Sequence, residues 1–228
     1  ESDVNGSAPI RILQGGVNHF KFLTFHPTRS TFYGKTGAYG ADVKKTNVNC
    51  IGALPLQPGS DGAESSGNEF LLGMADGSIG VVSKGESKAS AFTPVMKGAV
   101  TAMYVVKLKD GTPDEPPAYK VVVGGVNGFL KVLDQELQPI AEWNLYLSEY
   151  GLLPLGRIRG FKSLCVDKLN RKILYATAGD EVGELELTTG VDVNKGPLVF
   201  GHFRDQLHSL CAHPLRQECV TAGDDKTL

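Results

Sequence analysis

This sequence predicts an all-β fold assembled from repeated four-stranded antiparallel units. Three observations carry the expectation. Tight turns holding Asp or Asn recur between apolar runs at intervals of about 45 to 55 residues; a run of apolar, polar, small and apolar residues precedes several of them; and no segment keeps a 3.6-residue apolar period long enough for a helix. The interval is the length of one blade with enlarged loops, so the expected architecture is a β-propeller of about four blades, incomplete at both ends.

The strands come first in that reading. Phe70 to Met74, Ile79 to Val82, Val121 to Val123, Phe129 to Leu133, Ile173 to Ala176 and Leu185 to Leu187 are short apolar or alternating runs bounded by Gly, Asp, Asn and Pro. Between them lie the turns. Met74-Ala75-Asp76-Gly77, Gly125-Val126-Asn127-Gly128 and Gly223-Asp224-Asp225-Lys226 each place Asp or Asn at a hairpin, and Ala178-Gly179-Asp180-Glu181 is a weaker copy. Asp76, Asn127 and Asp180 are the expected turn residues, because Asp-Gly and Asn-Gly reach positive φ with little strain. Val100 to Tyr104, Phe161 to Cys165 and Leu207 to Cys211 share a second pattern whose small residues suit innermost strands, and Asn47 to Ile51 fits it less well. The units fall as a blade fragment at 1–45, blades at 46–95, 96–146 and 157–201, and a partial blade at 202–228. Gln57 to Gly67 and Lys109 to Pro117 are polar and Gly/Pro-rich, and read as exposed loops. Trp143 to Leu153, interrupted by Gly151 and followed by Pro154, is expected to form at most a short turn of helix.

Charge names no partner. The 23 basic residues face 25 acidic ones, so the chain lacks the positive field that nucleic acid or an anionic membrane requires. No apolar stretch approaches the roughly 20 residues that span a bilayer. The four cysteines, Cys50, Cys165, Cys211 and Cys219, have no CxxC spacing and lie mostly in apolar runs. Reduced, buried thiols in a cytoplasmic protein are the expectation, with Cys165 and Cys211 as equivalent small core residues.

Gly201-His202, Leu207 to Cys211, His213-Pro214 and Val220 to Leu228 together resemble a WD repeat. Phe129 to Asp134 resembles the third strand of such a repeat, with Leu133 in the place of its tryptophan. Gly15-Gly16-Val17-Asn18-His19-Phe20-Lys21-Phe22, followed by Tyr33-Gly34-Lys35-Thr36-Gly37-Ala38-Tyr39-Gly40, then Gly98 to Tyr104 and Leu133 to Leu137, resemble in order the echinoderm microtubule-associated protein-like family. That resemblance covers nearly the whole chain. It departs from the family in having a single tryptophan, Trp143, outside any Trp-Asp pair, and it lacks the coiled coil, basic region and hydrophobic entry motif of such proteins. It implies a non-enzymatic scaffold, cytoplasmic and cytoskeletal, whose partner is tubulin or the microtubule. A WD-repeat adaptor in a signalling, ciliary or ubiquitin-ligase complex is the alternative. Phe22 to Pro27 admits two registers: the resemblance makes it a third strand, whereas His26-Pro27, like His213-Pro214, would end an inner one.

The resemblance assigns His202, Thr221 and Asp225 to a hydrogen-bonded chain that ties a blade together. A catalytic triad of the same residues is disfavoured because Thr221 lies in mid-strand, far from any glycine-rich elbow. In His208-Ser-Leu-Cys211-Ala-His213 strand alternation sets His208 apart from Cys211 and His213, so three metal ligands do not converge. No cofactor is expected. Arg157, Arg159 and Lys162, together with Arg204, lie just before inner strands, beside Phe161. Connections of that kind open on one face of a propeller, which makes this group the candidate partner face.

Overall fold

The computed structural model describes residues 10–40, 44–55, 68–83, 86–112, 114–145, 160–194, 196–201 and 207–223, and among these the regular elements are strands, with 3-10 conformation at Leu145 alone. β1 (Ile10–Gly16), β2 (His19–His26) and β3 (Thr31–Thr36) form a three-stranded sheet in sequence order. Three four-stranded sheets follow, each a meander. The first joins β4 (Val48–Ala53), β5 (Asn68–Met74), β6 (Ser78–Ser83) and β7 (Ala89–Pro94). The next joins β8 (Val100–Lys109), β9 (Ala118–Gly125), β10 (Phe129–Leu133) and β11 (Pro139–Asn144). The last joins β12 (Phe161–Val166), β13 (Lys172–Thr177), β14 (Glu181–Glu186) and β15 (Val199–Phe200). A hairpin of β16 (Leu207–Ala212) and β17 (Cys219–Gly223) ends the series. All ladders within these sheets are antiparallel. These are five blades of an open propeller, numbered 1 to 5 in chain order.

The first strand of each complete blade lies innermost and packs on the innermost strand of the next, β4 on β8 and β8 on β12. In blade 1, β1 packs on β4 as β5 packs on β8 and β9 on β12. β1 therefore holds the place of a second strand, and β2, with Phe22 to Phe25, that of a third. Of the two registers open in the sequence, the third-strand one is seen.

The core divides into three clusters, one at each junction among blades 1 to 4. Blades 1 and 2 meet through Phe20, Phe22, Val48, Leu72, Met74 and Val82. Leu54, Leu71, Ile79, Val100, Val121 and Val123 fill the second junction. Ala102, Val106, Val122, Leu130, Phe161, Leu164, Ile173 and Tyr175 fill the third. Strand alternation makes this possible, since Val121 and Val123 turn one way and Val122 the other. Both faces of a central blade are therefore covered, which is why its strands read as continuous apolar runs rather than alternating ones.

A clasp reinforces the first junction. After β3 the chain crosses to blade 2, where Ala38 forms a parallel bridge with Lys88: Ala38 N–H donates to Ser87 O at 2.8 Å and Ala89 N–H to Ala38 O at 3.0 Å. Tyr39 then sits between the Phe20 ring, edge-on at 5.3 Å, and the Phe92 ring, stacked at 6.0 Å. Arg11 adds a second tie, pairing with Glu69 at 2.5 Å while its guanidinium lies over Phe22.

The β10–β11 hairpin carries a strained leucine. Asp134 receives the Leu137 N–H, its carboxylate receives the Gln138 N–H at 2.7 Å, and Leu137 adopts φ +61°. A bulky residue enters this left-handed region only under compulsion, and here the compulsion is burial in the second core cluster. Leu137→Ala keeps the backbone strain and loses the packing, whereas Leu137→Gly loses the packing and relieves the strain. Both variants are expected to unfold at lower urea than the parent, with the Gly variant the more stable of the two by roughly 0.5–1 kcal/mol. Equal midpoints would show that the φ carries no strain.

Two expectations are corrected. Trp143 and Asn144 do not begin a helical turn; they end β11, paired with Leu130 and Phe129, and Trp143 packs over Gly190 of blade 4. Residues 146–153 of that segment lie outside the described residues. The thiols are not uniformly buried either. Cys50 is half-buried, and Cys165, Cys211 and Cys219 are exposed and free. Cys165 points away from the third junction, and Cys211 and Cys219 lie on a hairpin that none of the three core clusters includes.

Candidate partner-binding face

One irregularity recurs at the same place in four inner strands. The register slips by one residue between Val48 and Cys50, Val100 and Ala102, Phe161 and Ser163, and Leu207 and Ser209. Each slip is a β-bulge, in which the extra residue stays out of the ladder and is re-aimed. The extra residues are Asn49, Thr101, Lys162 and His208. In every case the ladder partner of the residue before the bulge ends the second strand, and in blades 2, 3 and 4 the bulge therefore sits beside the turn leading to the third.

These turns are built alike. The N–H groups of Ala75, Val126 and Ala178 donate to the carbonyls of Asn47, Ala99 and Gly160, just ahead of the inner strands. Gly77 O, Gly128 O and Asp180 O receive the N–H of Val95, Leu145 and Gly201, just after the outer strands. The residues at that last position share positive φ, +90° at Gly77, +74° at Gly128 and +60° at Asp180. Asp180 is thus one place out of step with Asp76 and Asn127: it stands where the other blades have glycine, and Gly179 stands where they have Asp or Asn. Aspartate tolerates the left-handed region better than most residues, so the turn closes all the same.

The three turn residues do different work. The Asp76 carboxylate receives the Ser78 N–H at 3.0 Å and its hydroxyl at 2.6 Å, which rigidifies its own turn. Asn127 Nδ2 donates to Lys97 O at 3.3 Å, pinning the connection from blade 2. Asp180 serves through its backbone. Among the bulge residues, Asn49 Nδ2 reaches Val100 O of the next blade at 3.1 Å and Thr101 Oγ1 donates to Gly124 O at 3.2 Å. Lys162 is exposed, as is His208. With Val17 and Val126 exposed in neighbouring turns, this end of the blades presents a fixed rim of polar and small apolar groups around the inner strands.

Of the sequence-derived candidates for a partner face, Lys162 lies on this rim, while Arg157, Arg159 and Arg204 lie outside the described residues. So do His202 and Asp225 of the expected blade-tying chain. Thr221 is half-buried in β17, opposite Leu210. Phe161 belongs to no surface: it is fully buried in the third junction, edge-on to Tyr175 at 5.7 Å. Among the described residues no group of three His, Cys, Asp or Glu side chains is placed to hold a metal ion. Sequence reasoning passed over Asn49 and Thr101; their only signal was a polar residue in second place of each inner-strand run.

The opposite end of the blades is stiffened by side-chain caps. Asp167 receives the N–H of Arg171 at 2.6 Å and of Lys172 at 2.8 Å, and these backbone donors hold its carboxyl below the usual range. His213 takes the same place in blade 5, its Nδ1 receiving the N–H of Leu215 and of Arg216, each at 3.1 Å. Hydrogen bonds from Lys172 and Asn194 likewise hold the Glu184 carboxyl low. Cys50, by contrast, is pushed up to about 12 by burial, so its thiol is unreactive at neutral pH.

Neither a family model nor a curated protein matches the sequence. Among solved structures, a chain in a crystal structure of a mitotic checkpoint complex is similar over 98% of this chain and 56% of its own length, with a TM-score of 0.51 and 11% identity. The present chain spans little more than half of that one. The fold is an all-β, WD-type propeller that is not closed.

Proposed function

We propose that the chain is a protein-interaction scaffold that associates with tubulin or microtubules in the cytoplasm. The observation that carries the scaffold reading is the rim: one bulge, repeated in four inner strands, lifts Asn49, Thr101, Lys162 and His208 out of the ladder, the first three beside turns that are themselves hydrogen-bonded in place. A rigid surface that loses little entropy on docking suits recognition of another protein. The microtubule half rests on the ordered resemblance of Gly15 to Phe22, Tyr33 to Gly40, Gly98 to Tyr104 and Leu133 to Leu137. Lys162 on the rim suits the acidic tails of tubulin.

Co-sedimentation with microtubules and pull-down of soluble tubulin test this reading. The chain is expected to be retained, and Lys162→Glu is expected to weaken retention by roughly threefold to tenfold at low salt, with the difference shrinking as salt is raised. Absence from both the pellet and the pull-down removes the tubulin assignment. The adaptor reading draws on a separate observation, the similarity to a chain crystallised within a mitotic checkpoint complex. Proximity labelling in cells separates the two, by recovering either tubulin and its associated proteins or the subunits of another assembly.

A further inference from the structure

We infer that the turn of the β16–β17 hairpin is a proton-released latch: His213 holds it closed as a neutral imidazole and lets go when the ring takes up a proton. The latch is separate from the tubulin assignment and stands or falls without it.

One acceptor atom serves two donors. His213 Nδ1 receives the N–H of Leu215 and of Arg216, each at 3.1 Å, and Pro214, which precedes them, has no N–H to compete. A ring nitrogen accepts only through its lone pair, so this geometry requires the neutral tautomer with its proton on Nε2. Protonation places a third N–H at Nδ1, aimed at two backbone N–H groups, and the imidazolium has no acceptor to offer them. Attraction becomes repulsion. Histidine ordinarily changes charge between about pH 5 and 8. The two bonds are therefore present on the alkaline side of that range and lost as pH falls through it.

The surroundings let the proton in and leave the strands dependent on the turn. His213 is exposed, and the charged groups beside it in the turn are Arg216 and Glu218, themselves exposed and paired with each other at 3.7 Å. The other titratable groups of the described hairpin are His208, Cys211 and Cys219. Among the described residues no ion pair or hydrogen bond joins the turn to another sheet. The hairpin belongs to none of the three core clusters, and a two-stranded hairpin is marginal in water, so bonds within its turn weigh more than in a blade packed on both faces. His208 stands on the same strand as the latch, so release at the turn loosens the strand that presents it on the rim.

Blade 4 contains the matching turn without the switch. Asp167 N–H donates to Lys172 O at 3.0 Å as His213 N–H donates to Glu218 O at 2.9 Å, and the Asp167 carboxylate receives two backbone N–H groups as Nδ1 does. Those donors hold the carboxyl below its usual range, so this turn stays bonded where a histidine titrates. The same device thus occurs twice, once with an acceptor that keeps its charge and once with one that gives up its lone pair.

Amide–water exchange, measured by NMR on the full chain and divided by the intrinsic rate at each pH, tests the latch. Between about pH 7.5 and about pH 5.5 the protection of the Leu215 and Arg216 amides is expected to fall roughly tenfold, while that of Arg171 and Lys172 stays level. His213→Asp, which copies blade 4, should keep Leu215 and Arg216 protected at both. The parent supplies a second readout: its imidazole nitrogen shifts should show the Nε2–H tautomer of His213 at the higher pH, and the loss of protection should share its midpoint with His213 rather than with His208. Unchanged protection at the lower pH overturns the inference, as does an Nδ1–H tautomer or a midpoint that follows His208. A His213→Asp variant whose protection falls as steeply as the parent's also overturns it, because the proton then acts elsewhere.

Discussion

Gly37→Ala is expected to destabilise the chain by about 3 kcal/mol, which for a protein of this size lowers the melting temperature by roughly 6–12 °C. A Cβ at position 37 falls inside the Phe20 ring, and Phe20 is fully buried between Phe22, Tyr39 and the side chains of blade 2. The ring cannot retreat. Nor can the backbone, since Gly37 N–H donates to Phe20 O at 2.8 Å and the next residue is bridged to Lys88. The overpacking therefore falls on the clasp itself and loosens blade 1 from blade 2. Gly34→Ala, three residues earlier on exposed β3, is the control: its Cβ makes only ordinary contact with Leu23, and little change is expected. Equal melting temperatures for the two variants would show that the clasp contributes nothing to stability.

Phe161→Ala is expected to cost about 3–5 kcal/mol, the largest effect of any single truncation at the junction between blades 3 and 4. The side chain is 1% exposed, lies edge-on to Tyr175, and has its Cβ against Gly124, where no other residue would leave room for it. Its removal opens a cavity that neighbours on two separate sheets must fill. Trp143, the only tryptophan, packs against the same cluster, so urea unfolding followed by its emission reads the junction directly. The parent is expected to lose its tryptophan signal together with its circular dichroism, whereas the variant loses the tryptophan signal first. A variant whose two transitions still coincide near the parental midpoint would show that this junction is not where the blades are coupled.

What could be read from the sequence was local. Asp76-Gly77 and Asn127-Gly128 announce their hairpins because few residues other than Gly, Asn and Asp reach positive φ easily, and the runs between such turns could only be strands. Anything decided by a neighbouring blade was not legible. Cys165 looks like a core residue in any single-strand reading, because its neighbours Leu164 and Val166 are buried; which side of a blade is covered is not written in the strand itself. Trp143 opens the best helical candidate in the sequence, one that Gly151 and Pro154 limit to a short turn, whereas its ladder partner, Leu130, lies thirteen residues back. Asp180 shows a third kind of failure. Motif matching aligned it with Asp76 by residue type, whereas the hydrogen bonds align it with Gly77 by conformation. The bulges were missed because a residue squeezed out of a ladder carries no composition of its own: Asn, Thr, Lys and His fill the same place in four successive blades.

The bulge also sets which single-residue deletions the inner strands can survive. Removing a residue from a strand ordinarily turns every later side chain to the opposite face. Thr101 is the exception in β8, because it lies outside the alternation. Without it Val100 and Ala102 become ordinary neighbours on opposite faces, and Met103, Val105 and Val106 keep their present blades, at the loss of one hydrogen bond to Gly124 O. Deleting Tyr104 one turn of the pleat later would instead send Val105 toward blade 4 and Val106 toward blade 2, emptying two junctions at once. In a chain whose reading frame of faces is this strict, the rim is the one place on an inner strand where length is free to drift, and so the place where one repeat can come to differ from the next.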